Sequence, residues 1–216
     1  MAAGDGPVET VLLGEGTTAR IGEAAAPPAV PSTTPAGHQV FDRVVSLEAC
    51  PILASHVFGG RAVVPLSLIA EWLAHASMHD NIGLQFAGFD DLQTFKALAV
   101  GKEEAITIQA LAGPPRWSGN TAAVSCEIRS GDSLFARADV LLVDSLTAGE
   151  KSSAPRPTRS CARLKIYEIG LFHGPDLQGI AEAVACDHLG VVASCKSAPP
   201  PTAWIKNPLR SNWLSD

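Results

Sequence analysis

The sequence predicts an α+β fold in which an antiparallel sheet curls around one central helix. Three observations predict it. Pro65 is followed by a stretch, 66–78, in which Leu66, Ile69 and Leu73, with the small Ala70 and Ala74, recur at three- and four-residue spacing. A helix this apolar on most sides has to be wrapped rather than laid on a surface. Then 84–99, 104–112, 121–129 and 133–144 read as strands. In the last three, apolar residues alternate with polar ones: Ile106, Ile108, Ala110 and Ala112; Val124, Cys126 and Ile128; Leu134, Ala136, Ala138, Val140 and Leu142. That period of two marks antiparallel strands with one buried face. Finally, Gly113–Pro115 and Ser130–Asp132 punctuate these runs as turns.

In chain order, residues 1–37 read as an upstream tail and linker. Val8–Leu13 is a candidate strand. Gly14, Gly16 and Ala19 spell a nominal G-x-G-x-x-A, but Ala/Pro-rich sequence follows where a dinucleotide site needs an opening helix. Such composition makes an extended linker. His38–Glu48 reads as the entry strand, with Val40, Asp42, Val44 and Ser46 on one face and Phe41, Arg43, Val45 and Leu47 on the other. A loop follows with His56 and the pair Gly59 and Gly60. Pro65 suits the first helical position, where its missing N–H costs nothing. After the strands, 146–160 is a second linker rich in Ser, Pro and charge. Residues 161–216 resume with Phe172–Pro175 and an apolar pattern from Ile180 to Val192. Pro199–Pro201 interrupts it, and nothing after 161 repeats the 66–78 helix.

One apolar helix followed by such strands is the hotdog arrangement, and here the residues reach a family. His56, Gly60 and Pro65 match H-x-x-x-G-x-x-x-x-P, and the chain resembles the double-hotdog dehydratase domains of polyketide and polyunsaturated fatty acid synthases. Leu171–Ile180 resembles the second signature of those domains, G-P-x-F-Q, with Leu177 in place of its phenylalanine. Trp204–Trp213 resembles the stretch before that family's catalytic aspartate. The resemblance runs from about residue 38 to 216. It implies a complete first hotdog over 38–145 and a partial second one over 161–216, cut off before its helix, and an upstream neighbour such as a ketoreductase.

The implied activity is removal of water from a 3-hydroxyacyl thioester to give the enoyl thioester. That needs a base at C2, an acid at the C3 hydroxyl and donors on the thioester oxygen. By the resemblance His56 is the base, a role suited to a side chain largely neutral near pH 7. Gly59, Gly60 and Pro65, with His173, Gly174 and Pro175, are the expected substrate-binding residues. Gly60 can bring its backbone N–H close to the thioester, and the helix start after Pro65 adds a positive dipole end. Phe172–Pro175 is expected to be a turn near the acyl tunnel. The acid should be an aspartate in D-x-x-x-Q/H. Asp176, Asp187 and Asp216 are the aspartates after 160, and none has Gln or His four residues on. No metal or other cofactor is expected; the substrate arrives on the phosphopantetheine arm of an acyl carrier protein. Other synthase domains are expected partners, as is a second copy in a homodimer.

Composition narrows the alternatives. The 216 residues suffice for one large or two small domains. A net charge of −6 argues against nucleic acid and anionic membranes. No apolar run approaches the roughly 18 residues of a spanning helix. The N-terminus, with Asp5 and Glu9, lacks the basic start of a signal peptide. Five irregularly spaced cysteines fit reduced thiols, and so a cytoplasmic protein. His75 and His79 have a spacing that zinc sites use but no third ligand nearby, and are expected to be solvated. Cys186 and His188 fail the same test. Asp90 and Asp91 read as a turn or strand entry. No G-x-S-x-G supports a serine hydrolase. Two other readings stand beside the dehydratase: an acyl-binding fragment without chemistry, favoured by the missing aspartate, and a single-hotdog thioesterase or hydratase, disfavoured by the partial second repeat.

Overall fold

A computed structural model describes residues 8–12, 37–146, 159–161, 166–188 and 190–214. Two compact units divide the chain: residues 1–26 with 149–199, and residues 27–148 with 200–216. The Ala/Pro-rich stretch and the nominal G-x-G-x-x-A lie outside the described residues, as does most of the second linker.

In the first unit, β1 (Val8–Leu12) is the strand expected at 8–13. The helical stretch α2 (Ile166–Ile169) and a 3₁₀ turn at Pro175–Leu177 precede β11 (Ile180–Asp187) and β12 (Gly190–Cys195). The antiparallel order is β1-β12-β11. The apolar pattern from Ile180 to Val192 is thus a hairpin. Beyond β11, Ser160 bridges Ala185 and adds a short outer row.

The second unit holds the hotdog. Its main sheet contains β2 (His38–Val45), β5 (Gln85–Thr94), β7 (Ile106–Ala112), β8 (Arg116–Ser118), β9 (Thr121–Ser130) and β10 (Ser133–Val143). The order is β2-β7-β9-β10-β5, with β8 beside β9, all antiparallel. Helix α1 (Leu66–His79) packs against all five strands of that path, so the sheet does wrap it. Bulges at Gln39/Phe41, Leu134/Ala136 and Leu141/Leu142 raise the local twist and bend the strands around the helix. The alternation read from sequence is present: Ile108, Ala110, Val124, Cys126, Ile128, Ala138, Val140 and Leu142 are buried.

Several expectations are corrected. Leu66 is 53 % exposed, Ala70 is half-buried, and the buried stripe of α1 is carried by Leu68, Ile69, Trp72, Leu73 and Ala76. Pro65 is the residue before the helix, extended at φ −60° and ψ 148°, rather than its first helical residue. The stretch 84–99 is not one strand. It breaks after Thr94, and Ala99–Val100 forms β6 in a separate small sheet, β3-β4-β6, with β3 (Val57–Phe58) and β4 (Arg61–Val63). The entry strand stops at Val45. At the Leu134/Ala136 bulge Phe135 turns inward and Leu134 is left half-buried. Asp90 and Asp91 lie inside β5 beside a second register shift, with Asp91 at φ 52°.

The C-terminal stretch joins this unit. The chain turns at Pro200 into α3 (Pro201–Trp204), and the residues beyond run back along α1 and β2. Lys206 N–H donates to the Ala49 carbonyl at 2.8 Å, and Arg43 donates to the Asn207 carbonyl. Leu214 N–H donates to both carboxylate oxygens of Glu71, at 2.9 and 3.0 Å. Residues 200–214 therefore make these contacts with the first hotdog, whereas the sequence places them with 161–199.

Candidate active site

His56 sits where a 3₁₀ turn hands over to a hairpin. Pro51 pre-sets φ at the start of the turn, Pro51–Ser55, and Ile52 and Leu53 anchor it in the core. The turn closes with His56 N–H donating to the Leu53 carbonyl at 3.1 Å. The backbone donor that would complete the ladder with Val63 is therefore used elsewhere. The side chain substitutes for it: His56 Nδ1 lies 2.7 Å from the Val63 carbonyl oxygen, while Val63 N–H donates to the His56 carbonyl at 2.9 Å. A carbonyl oxygen can only accept, so in the neutral ring Nδ1 carries the proton and Nε2 carries the basic lone pair. The local fold thus selects the tautomer a general base requires. The ring is half-buried.

Gly59 and Gly60 make the hairpin turn between β3 and β4. Their φ angles, 57° and 78°, are both positive, as a type I′ turn demands. A Cβ added to either would meet nothing within 4 Å. The glycines therefore serve the backbone angle, and the space beside them is open. The hairpin is tied to the body by Val64 N–H donating to the Leu98 carbonyl at 2.8 Å and by the β4–β6 pairing of Ala62 with Val100 and Val63 with Ala99. Arg61 adds a bond to the Ala99 carbonyl at 3.2 Å and an ion pair with Glu104. The Pro65 carbonyl accepts from Leu68 and Ile69, which starts α1 directly after the hairpin. His56, Gly59, Gly60 and Pro65 are thus brought together in one hairpin and helix start. Phe58, 70 % exposed, and Leu66 are exposed apolar residues of the same stretch, and the sequence reading had not singled out Phe58.

His173, Gly174 and Pro175 lie in the other unit. Gly174 precedes the 3₁₀ turn, and its carbonyl accepts from Leu177 N–H at 3.0 Å. Gln178 Nε2 donates to the His173 carbonyl at 3.1 Å, and the His173 ring stacks on Phe172 with centroids 4.9 Å apart. Tyr167 hydroxyl accepts from Ile180 N–H at 2.8 Å. The turn therefore lies at Pro175–Leu177, just after most of the Phe172–Pro175 stretch expected to form it.

His75 differs from expectation. His79 is exposed, but His75 is half-buried, packs edge-on against Phe41, and has a buried Nδ1 with no hydrogen-bond partner among the described residues. Burial, then the positive charges of Arg210, His79 and Arg43, hold its pKa below the ordinary histidine value. It lines a cavity of about 20 Å³ together with Arg43, Glu71, Trp72, Arg210 and Trp213. No signal in the sequence pointed to this cavity, because most of its wall comes from residues 201–213. Among the described residues no group of three His, Cys, Asp or Glu side chains is placed to hold a metal ion, and no helix is long and apolar enough to cross a membrane.

Known proteins with similar sequence or structure agree with this architecture. No family model matches the chain. A polyunsaturated fatty acid synthase polypeptide of Thraustochytrium sp. is 29 % identical, over 73 % of this chain and 6 % of that protein. The dehydratase domains from the CurK and CurF modules of curacin polyketide synthase superpose with TM-scores of 0.54 and 0.53, each at 16 % identity over 71 % of this chain and 58 % of theirs. CurK dehydratase variants with one histidine replaced by phenylalanine, or one aspartate by asparagine, are described as inactive. The chain thus spans a little over half of those solved domains and a small part of the Thraustochytrium synthase. At such identity the structural likeness shows the fold alone, a hotdog.

Proposed function

We propose that this chain is the His56-bearing part of a 3-hydroxyacyl dehydratase within a fatty acid or polyketide synthase. The observation that carries the proposal is the bond between His56 Nδ1 and the Val63 carbonyl, which leaves Nε2 as the base in a hotdog of dehydratase type. In this reading Nε2 takes the C2 proton of the 3-hydroxyacyl thioester. Charge develops on the thioester oxygen, toward Gly60 N–H and the positive end of α1. Hydroxide leaves C3 with a proton from an acid, and the C2–C3 double bond forms. Gly59 and Pro65 shape this half of the site. His173, Gly174 and Pro175 are further substrate-binding residues in this reading, as part of a second hotdog. The chemistry requires no cofactor of the protein's own; the acyl group arrives on a carrier protein's pantetheine arm. Neighbouring synthase domains are the further partners, a homodimer is the assembly, and the cytoplasm is the compartment.

The test separates the base from the acid. The chain is incubated in D₂O with a 3-hydroxyacyl pantetheine thioester, and both C2 deuteration and enoyl product are measured. His56-dependent C2 deuteration is expected, abolished by His56→Ala. Exchange that survives His56→Ala would end the assignment of the base.

A second reading has its own observation. Ile180 and Val191 stand four positions after Asp176 and Asp187, so neither aspartate fits the pattern of the acid, and in this reading these residues bind the acyl thioester without supplying the acid. Removal of the acid step costs on the order of 10²–10⁴ in rate. Binding of the thioester with C2 exchange but without enoyl product would favour this reading over the first.

A further inference from the structure

We propose that Cys161 and Cys186 form a reversible disulfide, a redox modification site that staples the outer row at Ser160 to β11. The site lies in the unit of residues 1–26 and 149–199.

The geometry starts from the backbone. Ser160 bridges Ala185 antiparallel, Cys161 N–H donates to the Val184 carbonyl at 3.2 Å, and Cys186 N–H donates to the Arg159 carbonyl at 2.8 Å. Cys161 and Cys186 therefore flank the 160/185 pair on its opposite face as diagonal neighbours, close enough for side chains to meet. The two thiols do meet: the Cys161 side chain hydrogen-bonds that of Cys186. Both residues are partly accessible, while Cys50 and Cys126 are buried in the other unit. A disulfide needs closely spaced Cα atoms and a near-perpendicular dihedral. An edge row held by few backbone bonds can move to meet that geometry, which a strand inside a sheet resists.

The chemistry names its own oxidant, a small-molecule disulfide of the glutathione class. The hydrogen bond from Cys161, with burial second, keeps the Cys161 thiol protonated, its pKa pushed up to about 11. Cys186 is therefore the first nucleophile. Its thiolate attacks one sulfur of the small disulfide, forms a mixed disulfide and expels one small thiolate. Cys161 then gives up its proton and attacks the Cys186 sulfur. The Sγ–Sγ bond forms, the second small thiolate leaves, and the two leaving groups take up the two protons lost by the cysteines. Two electrons pass from the pair to the small disulfide. The bridge closes a loop that contains Leu171–Ile180, the segment with His173, Gly174 and Pro175, and restricts how far its two ends can separate.

The experiment is incubation of the folded 216-residue protein with excess oxidised glutathione, followed by peptide mapping under non-reducing acid conditions. The expected result is loss of two hydrogens in mass and one crosslinked peptide pair containing Cys161 and Cys186. In Cys161→Ser, Cys186 should accumulate as the glutathione adduct. In Cys186→Ser, Cys161 should form no bridge and stop at the glutathione adduct. Amides of 171–180 should exchange more slowly in the oxidised protein than in the reduced one. Separate glutathione adducts on Cys161 and Cys186 that never convert to a bridge would overturn the proposal. So would a bridge that forms equally fast in the urea-unfolded chain.

Discussion

The orientation of the His56 ring rests on a substitution of one donor for another. Its backbone N–H is committed to Leu53, so its ring donates to Val63 in the strand pairing. Replacement by Asn preserves a donor for Val63 but has no basic nitrogen. His56→Asn should therefore keep the melting temperature close to that of the parent, within the roughly 0.5 kcal/mol typical of a mild substitution, and abolish C2 exchange. Calorimetry and deuterium incorporation read the two effects separately. At Gly60 the constraint is the backbone angle, φ 78°, with open space where a side chain would go. Gly60→Ala should cost about 1–2 kcal/mol through left-handed strain alone, without a clash. Denaturant unfolding would show this as a lower midpoint at unchanged slope, and a neutral result would mean the turn had rearranged.

At the scale of elements, the segment 200–214 is held to α1 and β2 by few but specific contacts. Glu71 is 7 % exposed, and its two oxygens both accept from Leu214 N–H. The indoles of Trp204 and Trp213 meet at 5.5 Å, and the Arg43 guanidinium lies 5.9 Å from the centre of the buried Trp72 ring. Glu71→Ala removes the acceptor and leaves a donor unmet. It should cost about 1–3 kcal/mol and raise hydrogen exchange from 205 to 214 before it affects the main sheet. Acid should act on the same contact. His75 has a folded pKa held below its unfolded value of 6.5, chiefly by burial. The unfolded chain therefore binds the proton first, and stability contributed by neutral His75 is present above about pH 6.5 and declines as pH falls below it. The facing groups are Arg43 from β2, Glu71 and His79 from α1, and Arg210 from the C-terminal segment. His75→Phe should flatten the stability profile between pH 7 and 5, and an unchanged profile would assign the acid sensitivity to other groups.

At the scale of the whole molecule, the cysteines divide between the two units. Cys50 and Cys126 belong to residues 27–148 and are fully buried, with burial raising both thiol pKa values. Cys161, Cys186 and Cys195 belong to the other unit and are partly exposed. Pulsed alkylation along a urea titration should therefore report the units separately. Cys50 and Cys126 should label together, only when the hotdog unfolds, because α1 and the curled sheet share one core. Labelling of Cys126 well before Cys50 would mean that the sheet opens without the helix.

The sequence by itself determined the curled sheet and its helix. Burial on one face imposes a period of two on strands and three to four on helices, and Val124, Cys126, Ile128 and Leu73 obey it. The glycine pair Gly59 and Gly60 was legible as a loop, and the structure makes it a hairpin turn whose two successive positive φ angles favour glycine. The spacing of His56, Gly60 and Pro65 was legible for the same reason: all three lie within one turn, one hairpin and one helix start, where contacts are local. Only the tertiary structure decided what depends on residues distant in the chain. The Glu71–Leu214 bond joins positions 143 residues apart, and no pattern around Glu71 announces it. The half-burial of His75, the breaks that split 84–99, and the meeting of Cys161 with Cys186 depend likewise on which segment packs alongside. Periodicity records which face of a segment is buried; it does not record what buries it.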